Sequence, residues 1–525
     1  MKSYTYFLLF LICMTLFSCR EEKISSPPNI VYILADDLGY GDLGVFNPQG
    51  KIKTPHLDEM AQQGMMFKDA HTSSSVCTPT RYGILTGRYN WRSPLKRGVL
   101  SGTSKALIPK ERTTVPSFLK ANGYHTAFIG KWHLGWNWAV KDSSFKNTQI
   151  KDNEIFEKID FSKKITHSPN DIGFDYAYGH CGSLDMPPYV YVENEKITAE
   201  VDTITGRKGD YHWWRFGPTA KDFDHEKVTP HLFDKAEAYI TEMNVKKKPF
   251  FLYLPLPSPH TPILPTEEWI GKSGLNPYAD FVMQIDHRVG QLNTLIDQLG
   301  IAENTLVVFT SDNGCSPQAK YDILGEKGHD PSGVWRGHKA DIFEGGHRVP
   351  FILKWPKKIK AGSVSSKTVC TTDLLATCAE LVNKSLSDNE GEDSFSMVPL
   401  FNKQTEDQYK RTYTIHHSIN GSFAIRKGDY KFIFCPDSGG WSYPRPKKNK
   451  ATDLPKFQLY DLKNDPEEND NLFGQHPEIE RELIALFKES IERGRSTQGS
   501  PQKNFSTHFS QKKWKPLAVF EHENE

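Results

Sequence analysis

The feature that most constrains the fold is Asn29-Ile30-Val31-Tyr32-Ile33-Leu34-Ala35, a β-branched apolar run without polar alternation that stops at Asp36-Asp37. A strand reads this way when both faces are buried, as in the centre of a parallel sheet. Open α/β sheets place ligands at the carboxyl ends of such strands, so Asp36 and Asp37 read as part of a site and not of a core. Tyr124–Gly130, Phe250–Leu256 and Thr305–Thr310 repeat the pattern, each a short apolar run followed by polar residues. In Tyr278–Leu299, residues Phe281, Ile285, Val289, Leu292, Leu295, Ile296 and Leu299 recur at spacings of three and four, which predicts an amphipathic helix against the sheet. Strands alternating with helices predict an α/β fold.

The polar stretch Lys384–Gln408 ends this pattern. Beyond it, Phe423–Arg426, Tyr430–Phe434 and Phe457–Tyr460 predict an antiparallel meander, and Glu478–Arg493 a helix. The chain is expected to divide into a leader (1–23), a large domain (24–400) and a smaller β-plus-helix subdomain (401–525). In the leader, Lys2 precedes the apolar stretch Phe7–Phe17, which is too short to span a bilayer and reads as a secretory signal. Leu16-Phe17-Ser18-Cys19 resembles the bacterial lipobox, implying a lipid anchor on Cys19 and an envelope location, periplasmic or outer-membrane-anchored. The alternative is a cleaved signal in which Cys19 is incidental.

Sixty-five Lys plus Arg oppose 64 Asp plus Glu, a net charge of +1, which excludes nucleic-acid binding driven by bulk charge. The 8 cysteines include no Cys-x-x-Cys pair, so a structural zinc site has no support and no disulfide pairing is assigned.

The chemistry concentrates in a few motifs. Cys77-Thr78-Pro79-Thr80-Arg81 runs into Gly83-Ile84-Leu85-Thr86-Gly87 after the Ser/Thr-rich approach Thr72–Ser75. Asp36, Asp37, Asp312 and Asn313 offer hard oxygen ligands from strand ends, which suits Ca²⁺ or Mg²⁺. Lys131-x-His133, at another strand end, points both side chains to one face. Ser258-Pro259-His260-Thr261-Pro262, Arg336-Gly337-His338-Lys339 and Glu344–Pro350 follow in order.

Taken together, these motifs resemble the sulfatase family from residue 29 to about 350, and more loosely to the end, with Thr80 standing where Ser or Ala is commoner. The resemblance implies an alkaline-phosphatase-like large mixed sheet sandwiched by helices, with a smaller C-terminal antiparallel sheet plus helix. It implies that a maturase oxidises Cys77 to formylglycine, and that one Ca²⁺ is held by Asp36, Asp37, position 77, Asp312 and Asn313. The hydrated aldehyde then attacks the sulfur of a sulfate ester, the alcohol leaves, and a base expels sulfate by collapse to the aldehyde. In that scheme Arg81 and Lys131 hold and polarise the diol, and His133 is the base. His260 and Lys339 bind sulfate oxygens, and one of the two protonates the leaving alcohol.

The whole resembles bacterial carbohydrate sulfatases, implying exo action on sulfated galactose or N-acetylgalactosamine units. In the loops that carry specificity, His180 and Asp185 are candidates to bond sugar hydroxyls and Trp213 or Trp214 to stack on the ring; plain loop packing is the alternative for all four. Two other readings are weighed. A phosphate-ester hydrolase of the alkaline phosphatase superfamily would use Ser or Thr as nucleophile, against Cys77. A non-catalytic glycan-binding lipoprotein would need a broken site, and every expected polar position is filled.

Overall fold

A computed structural model describes residues 27–142, 156–446 and 454–504. The leader and the lipobox-like Leu16–Cys19 lie outside the described residues. Among the described residues no helix is long and apolar enough to cross a membrane.

In chain order the strands are β1 (Asn29–Asp36), β2 (Met65–Phe67), β3 (Ala70–His71), β4 (His125–Lys131), β5 (Tyr176–His180), β6 (Val192–Glu193), β7 (Lys196–Ile197), β8 (Val201–Arg207) and β9 (Trp214–Ala220). They continue with β10 (Phe250–Pro259), β11 (Thr305–Ser311), β12 (Phe351–Lys354), β13 (Ser363–Ser365), β14 (Val369–Cys370), β15 (Thr414–His417), β16 (Phe423–Lys427), β17 (Tyr430–Ile433) and β18 (Gln458–Asp461). Ten of them form one mixed sheet in the order β13-β2-β12-β11-β1-β10-β4-β5-β6-β7.

The sequence expectation holds at its centre. β1 lies between β10 and β11, parallel to both, with Val31 opposite Leu252 on one side and Val307 on the other. All eight residues of β1 are buried, and because their side chains alternate, both faces of the sheet are covered. The parallel run extends through β4 and β5. β12 is antiparallel to β11, a reversal that the apolar runs could not reveal because burial and direction are independent.

The helix expected over 278–299 is α4, once the chain is numbered as α1 (Pro55–Gln63), α2 (Cys77–Thr86), α3 (Val228–Lys246), α4 (Pro277–Gln298) and α5 (Pro477–Arg493), with shorter helices between. Phe281, Ile285, Val289, Leu292 and Ile296 form its buried stripe, and α3 and α4 pack on β10 and on each other. At the other end, β15-β16-β17-β18 form the expected antiparallel sheet, with α5 against β16 and β17. Its core of Ile415, Phe423, Phe432, Phe434, Leu459, Leu483 and Phe487 also takes in Tyr89, Trp91 and Cys370 from the large sheet's side, so the two sheets share apolar contacts. Cys77, Cys181, Cys315, Cys370, Cys378 and Cys435 are all buried and free.

This topology sends the carboxyl ends of β1, β11, β10, β4 and β5 to one edge. Asp36, Ser311, Pro259, Lys131 and His180 are the last residues of those strands.

Candidate active site

α2 carries Cys77 in its first turn. Pro79 is tolerated so early because the first amides of a helix have no intrahelical partner, and Gly87 ends the helix in the left-handed region at φ 61°. Arg81 follows Cys77 by four residues and therefore shares its face. The threonines around them are ties: Thr78 Oγ1 donates to the His133 carbonyl (2.9 Å) and Thr80 Oγ1 to that of Ser74 (2.9 Å). The hydroxyl at position 80 is thus in use.

Around Cys77 stand three carboxylates from strand ends, Asp36, Asp37 and Asp312, and three cations, Lys131 from the end of β4, Arg81 from α2 and Lys339 from a loop. Arg81 donates from Nε (2.9 Å) and Nη2 (2.8 Å) to Asp312 Oδ2 and from Nη1 to the Lys131 carbonyl (3.0 Å). Lys131 Nζ bonds Asp36 Oδ2. Lys339 Nζ lies 2.8 Å from Asp37 Oδ2, and Asn313 Nδ2 donates to Asp37 Oδ1 at 2.7 Å. His260 Nε2 stands 3.7 Å from Asp37 Oδ2. Three non-glycine residues here have left-handed backbone: Asp37 (φ 66°), His133 (φ 52°) and Ala340 (φ 81°). Such conformations persist only where surrounding contacts over-determine them, and they gather at functional sites. Ala340, for example, is gripped through N–H to the Ser75 carbonyl (2.8 Å) and through its carbonyl by Ile419 N–H (3.1 Å).

Burial and these charges set the protonation states. Burial pushes the Cys77 thiol up to about 11, against Lys131 and Lys339. Burial works to raise the Asp36 carboxyl, but Lys131, with His260 and Arg81, holds it below its usual range. Burial, reinforced by Lys131, keeps His133 well below the ordinary imidazole value and so neutral. Its Nε2 lies 2.8 Å from the Leu100 carbonyl and must donate there, which leaves the unpartnered buried Nδ1 as a free lone pair.

Two oxygens, Asp36 Oδ1 and Asn313 Oδ1, are buried without a hydrogen-bond partner. Orphaned acceptors of this kind call for a cation or donor that the chain itself does not provide. Ligand atoms of Asp36, Cys77 and Asp312 lie within 4.8 Å of one another, as do those of Asp36, Asp37 and His260. Hard oxygens predominate, so the donor set fits a hard divalent cation.

Every residue expected at the chemical centre is thus brought to one sheet edge. Two loop residues fare differently. His180 sits beside Lys131 in register, buried, with Nε2 unpartnered and its imidazole held down to about 3 chiefly by burial. Asp185 is buried too, but its carboxylate is ion-paired to Arg215. Trp214 stacks on His225 with centroids 4.2 Å apart, so one of its ring faces is already covered. Sequence reasoning missed both partners, since nothing in the residues signals that a hairpin, β8–β9, folds back over the 185–189 segment.

A mixed sheet that gathers oxygen donors and cations around one cysteine at its carboxyl edge has the make-up of an enzyme centre for an anionic substrate. Known proteins narrow this. The sulfatase family profile matches residues 28–384, and that of the N-sulphoglucosamine sulphohydrolase C-terminal region matches 337–497. The chain is 33% identical over 501 residues to an N-acetylgalactosamine-6-O-sulfatase of Bacteroides thetaiotaomicron, covering 88% of this chain and 93% of that one. It is 31% identical to human arylsulfatase A, covering 89% and 87%. A solved 6S-sulfatase structure from work on glycosaminoglycan metabolism by Bacteroides thetaiotaomicron superposes with TM-score 0.75 at 31% identity, over 89% of this chain and 99% of that one. The chain belongs to the sulfatase family, and it is a sulfuric ester hydrolase.

Proposed function

We propose that the chain hydrolyses sulfate esters on carbohydrates, with formylglycine made from Cys77 as the nucleophile and one Ca²⁺ beside it. The observation that carries this is the convergence of Cys77, Asp36 and Asp312 within 4.8 Å, with Asp36 Oδ1 and Asn313 Oδ1 left without a hydrogen bond. Asp36, Asp37, Asp312 and Asn313 would hold the ion together with position 77. When present, the aldehyde hydrate supplies the attacking oxygen and the cation polarises the ester's oxygens.

The chain's own residues do the rest. Arg81, fixed on Asp312, and Lys131 orient the hydroxyls at position 77. Lys339, whose ammonium Asp37 keeps charged against the cost of burial, and His260 hold sulfate oxygens as charge moves toward the leaving group. His260 Nδ1 lies 2.6 Å from the Thr261 carbonyl and donates there, so Nε2 is the atom that faces Asp37 and the leaving alcohol. His133 Nδ1, neutral and unpartnered, takes the proton that releases sulfate.

For the sugar, the names of the N-acetylgalactosamine-6-O-sulfatase and the murine N-acetylgalactosamine-6-sulfatase among the relatives support a sulfated galactose or N-acetylgalactosamine unit; the reading adds exo action, with His180 and Asp185 near the sugar's hydroxyls. A maturase and a lipid anchor at Cys19 complete the reading, with action in the cell envelope. Cys77→Ala, prepared alongside wild type from a host able to convert Cys77, tests it. Sulfate release from N-acetylgalactosamine 6-sulfate is expected to vanish while the fold persists and Asp36, Asp37, Asp312 and Asn313 still bind Ca²⁺, more weakly for the ligand lost at position 77. Retained turnover overturns the formylglycine mechanism.

A further inference from the structure

The wall of the site where the β8–β9 hairpin folds over the 180–189 segment carries more chemistry than one sulfate ester requires. His180, Ser183, Asp185 and His225 are each more than nine-tenths buried. Each nevertheless keeps a side-chain polar atom without a partner: His180 Nε2, Ser183 Oγ, Asp185 Oδ1 and His225 Nε2. Four such atoms within one loop cluster mark a place where a polar ligand completes the hydrogen bonding. The cluster is continuous with the catalytic edge. His180 pairs in register with Lys131, its ring meets Phe223 edge-on at 6.2 Å, Phe223 meets His225 at 5.2 Å, and His225 stacks on Trp214.

Arg215 stands at the outer end of this column. Its backbone N–H donates to the Asp185 carbonyl (3.3 Å), its own carbonyl accepts from Tyr189 Oη (2.7 Å), and Nη1 donates to the Asp185 carbonyl (3.0 Å) as well as to the Asp185 carboxylate. The residue is therefore held at three points. Its side chain is still 46% exposed, and among the described residues no acceptor takes its Nε–H or Nη2. The guanidinium lies 5.4 Å from the centroid of the Trp213 ring. A fixed guanidinium with a free edge is suited to an oxyanion, two of whose oxygens it grips with two parallel N–H donors.

We propose that Arg215 is a specificity residue that binds a second oxyanion, a carboxylate or a sulfate, on the sugar next to the one bearing the scissile ester. The proposal rests on the carbohydrate reading above. It makes the enzyme selective for sulfate esters within polyanionic glycans over the same ester on a neutral neighbour.

The test compares wild type, Arg215→Gln and Arg215→Lys on three disaccharides with the same 6-sulfated N-acetylgalactosamine. Their neighbouring sugars are a hexuronate, the corresponding neutral hexose, and a neutral hexose with a second sulfate. In wild type, kcat/KM on one or both charged disaccharides is expected to exceed that on the neutral one about tenfold, the scale of one charge-assisted hydrogen bond at a half-exposed site. Arg215→Gln abolishes that ratio and Arg215→Lys keeps part of it. Raising salt from about 20 to about 200 mM weakens the wild-type preference and leaves the Gln variant unaffected. Whichever charged arm shows the preference identifies the oxyanion. The same ratio in Arg215→Gln as in wild type, or no preference in wild type, overturns the proposal.

A binding arm separates this from the reading beneath it. Calorimetry with Cys77→Ala protein, with and without Arg215→Gln, reports disaccharide affinity without turnover. A tenfold loss confined to charged disaccharides supports Arg215 even if no sulfate is released, whereas silent wild-type turnover counts against the carbohydrate sulfatase reading.

Discussion

Two buried ionic clusters in this molecule use the same ingredients to opposite ends. At the catalytic edge, Asp36, Asp37 and Asp312 face Arg81, Lys131 and Lys339. Between the two sheets, Asp69, Glu344 and Glu468 face Arg348, Arg426 and Lys431 around His71, His347 and His416. Each sets three carboxyl groups against three cationic side chains. In the second cluster every ring nitrogen is occupied: His71 bridges His347 (3.1 Å) and Asp69 (2.9 Å), and His416 bridges the Thr72 carbonyl (3.0 Å) and Thr414 Oγ1 (2.9 Å). His347 Nε2 meets Lys431 Nζ at 3.1 Å, and its ring stacks on His416 at 3.9 Å. Three histidines this close suggest a metal site, but stacked rings with engaged nitrogens and adjoining cations offer no lone pair to an ion. Glu344 Oε1 and Glu468 Oε1 lack a hydrogen bond but lie against the Lys431 ammonium at 3.0 and 2.9 Å, whereas the catalytic cluster leaves Asp36 Oδ1, with Arg81 Nη2 3.7 Å away, and Asn313 Oδ1 less closely covered. The difference teaches that neither buried charge nor an unbonded oxygen alone identifies a site; acceptors that the chain's own cations leave uncovered do.

If the second cluster is a closed joint, breaking it should cost stability and not chemistry. Lys431→Ala removes the cation shared by Glu344 and Glu468, which lie 3.0 and 2.9 Å from its Nζ. The expected loss is about 3–5 kcal/mol, read by denaturant unfolding, with kcat little changed below the transition. An unaltered unfolding midpoint would mean the joint is slack. The reciprocal change, Lys131→Ala at the catalytic edge, should lower kcat by about 10²–10³-fold, since a preorganised donor to the reacting oxygens is lost. Its stability cost should be smaller than that of Lys431→Ala, because a bound cation can take up the Asp36 carboxylate. Steady-state sulfate release and a melting curve in Ca²⁺ check both halves.

Chelation sharpens the comparison further. Removing Ca²⁺ should lower stability by about 2.7 kcal/mol relative to protein at 100 times its dissociation constant, with the shift absent in Asp312→Ala. A shift of equal size in that variant would locate the ion elsewhere.

The smallest effect is on pH. Burial holds His71, His347 and His416 below the ordinary imidazole value. The unfolded chain therefore binds protons that the folded chain refuses once pH falls below about 6.5, and the stability these groups contribute, complete above that pH, declines as pH drops toward their folded values. Glu468, pushed up to about 7 by burial, opposes this with one proton against three. Thermal midpoints measured downward from pH 7 should fall, each net proton weighing up to about 1.4 kcal/mol per pH unit. A flat profile would show that the histidines take up protons without unfolding.

Much of this was legible in the residues. β1, β4, β10, β11, α4 and three of the four strands of the C-terminal sheet, β15 being the one missed, stand within a few residues of where apolar runs and spacings put them, because burial and periodicity are written locally. The residues of the chemical centre were legible as motifs at strand ends. The direction of β12, the β8–β9 hairpin and the ion pair that occupies Asp185 were not. Nor were the partners of Glu344, since Lys431 and Arg426 lie far along the chain and reach it only when the two sheets meet.

By itself, then, the sequence determined which side chains could do chemistry: one cysteine in its Cys-x-Pro-x-Arg setting, hard oxygen donors at strand ends, and a parallel sheet to carry them. The tertiary structure alone decided which charges remain available. Whether a buried carboxylate oxygen is held against an ammonium, as Glu344 Oε1 is by Lys431 at 3.0 Å, or stands farther from its cation, as Asp36 Oδ1 does from Arg81 at 3.7 Å, depends on distances between segments far apart in the chain, and no local pattern encodes them.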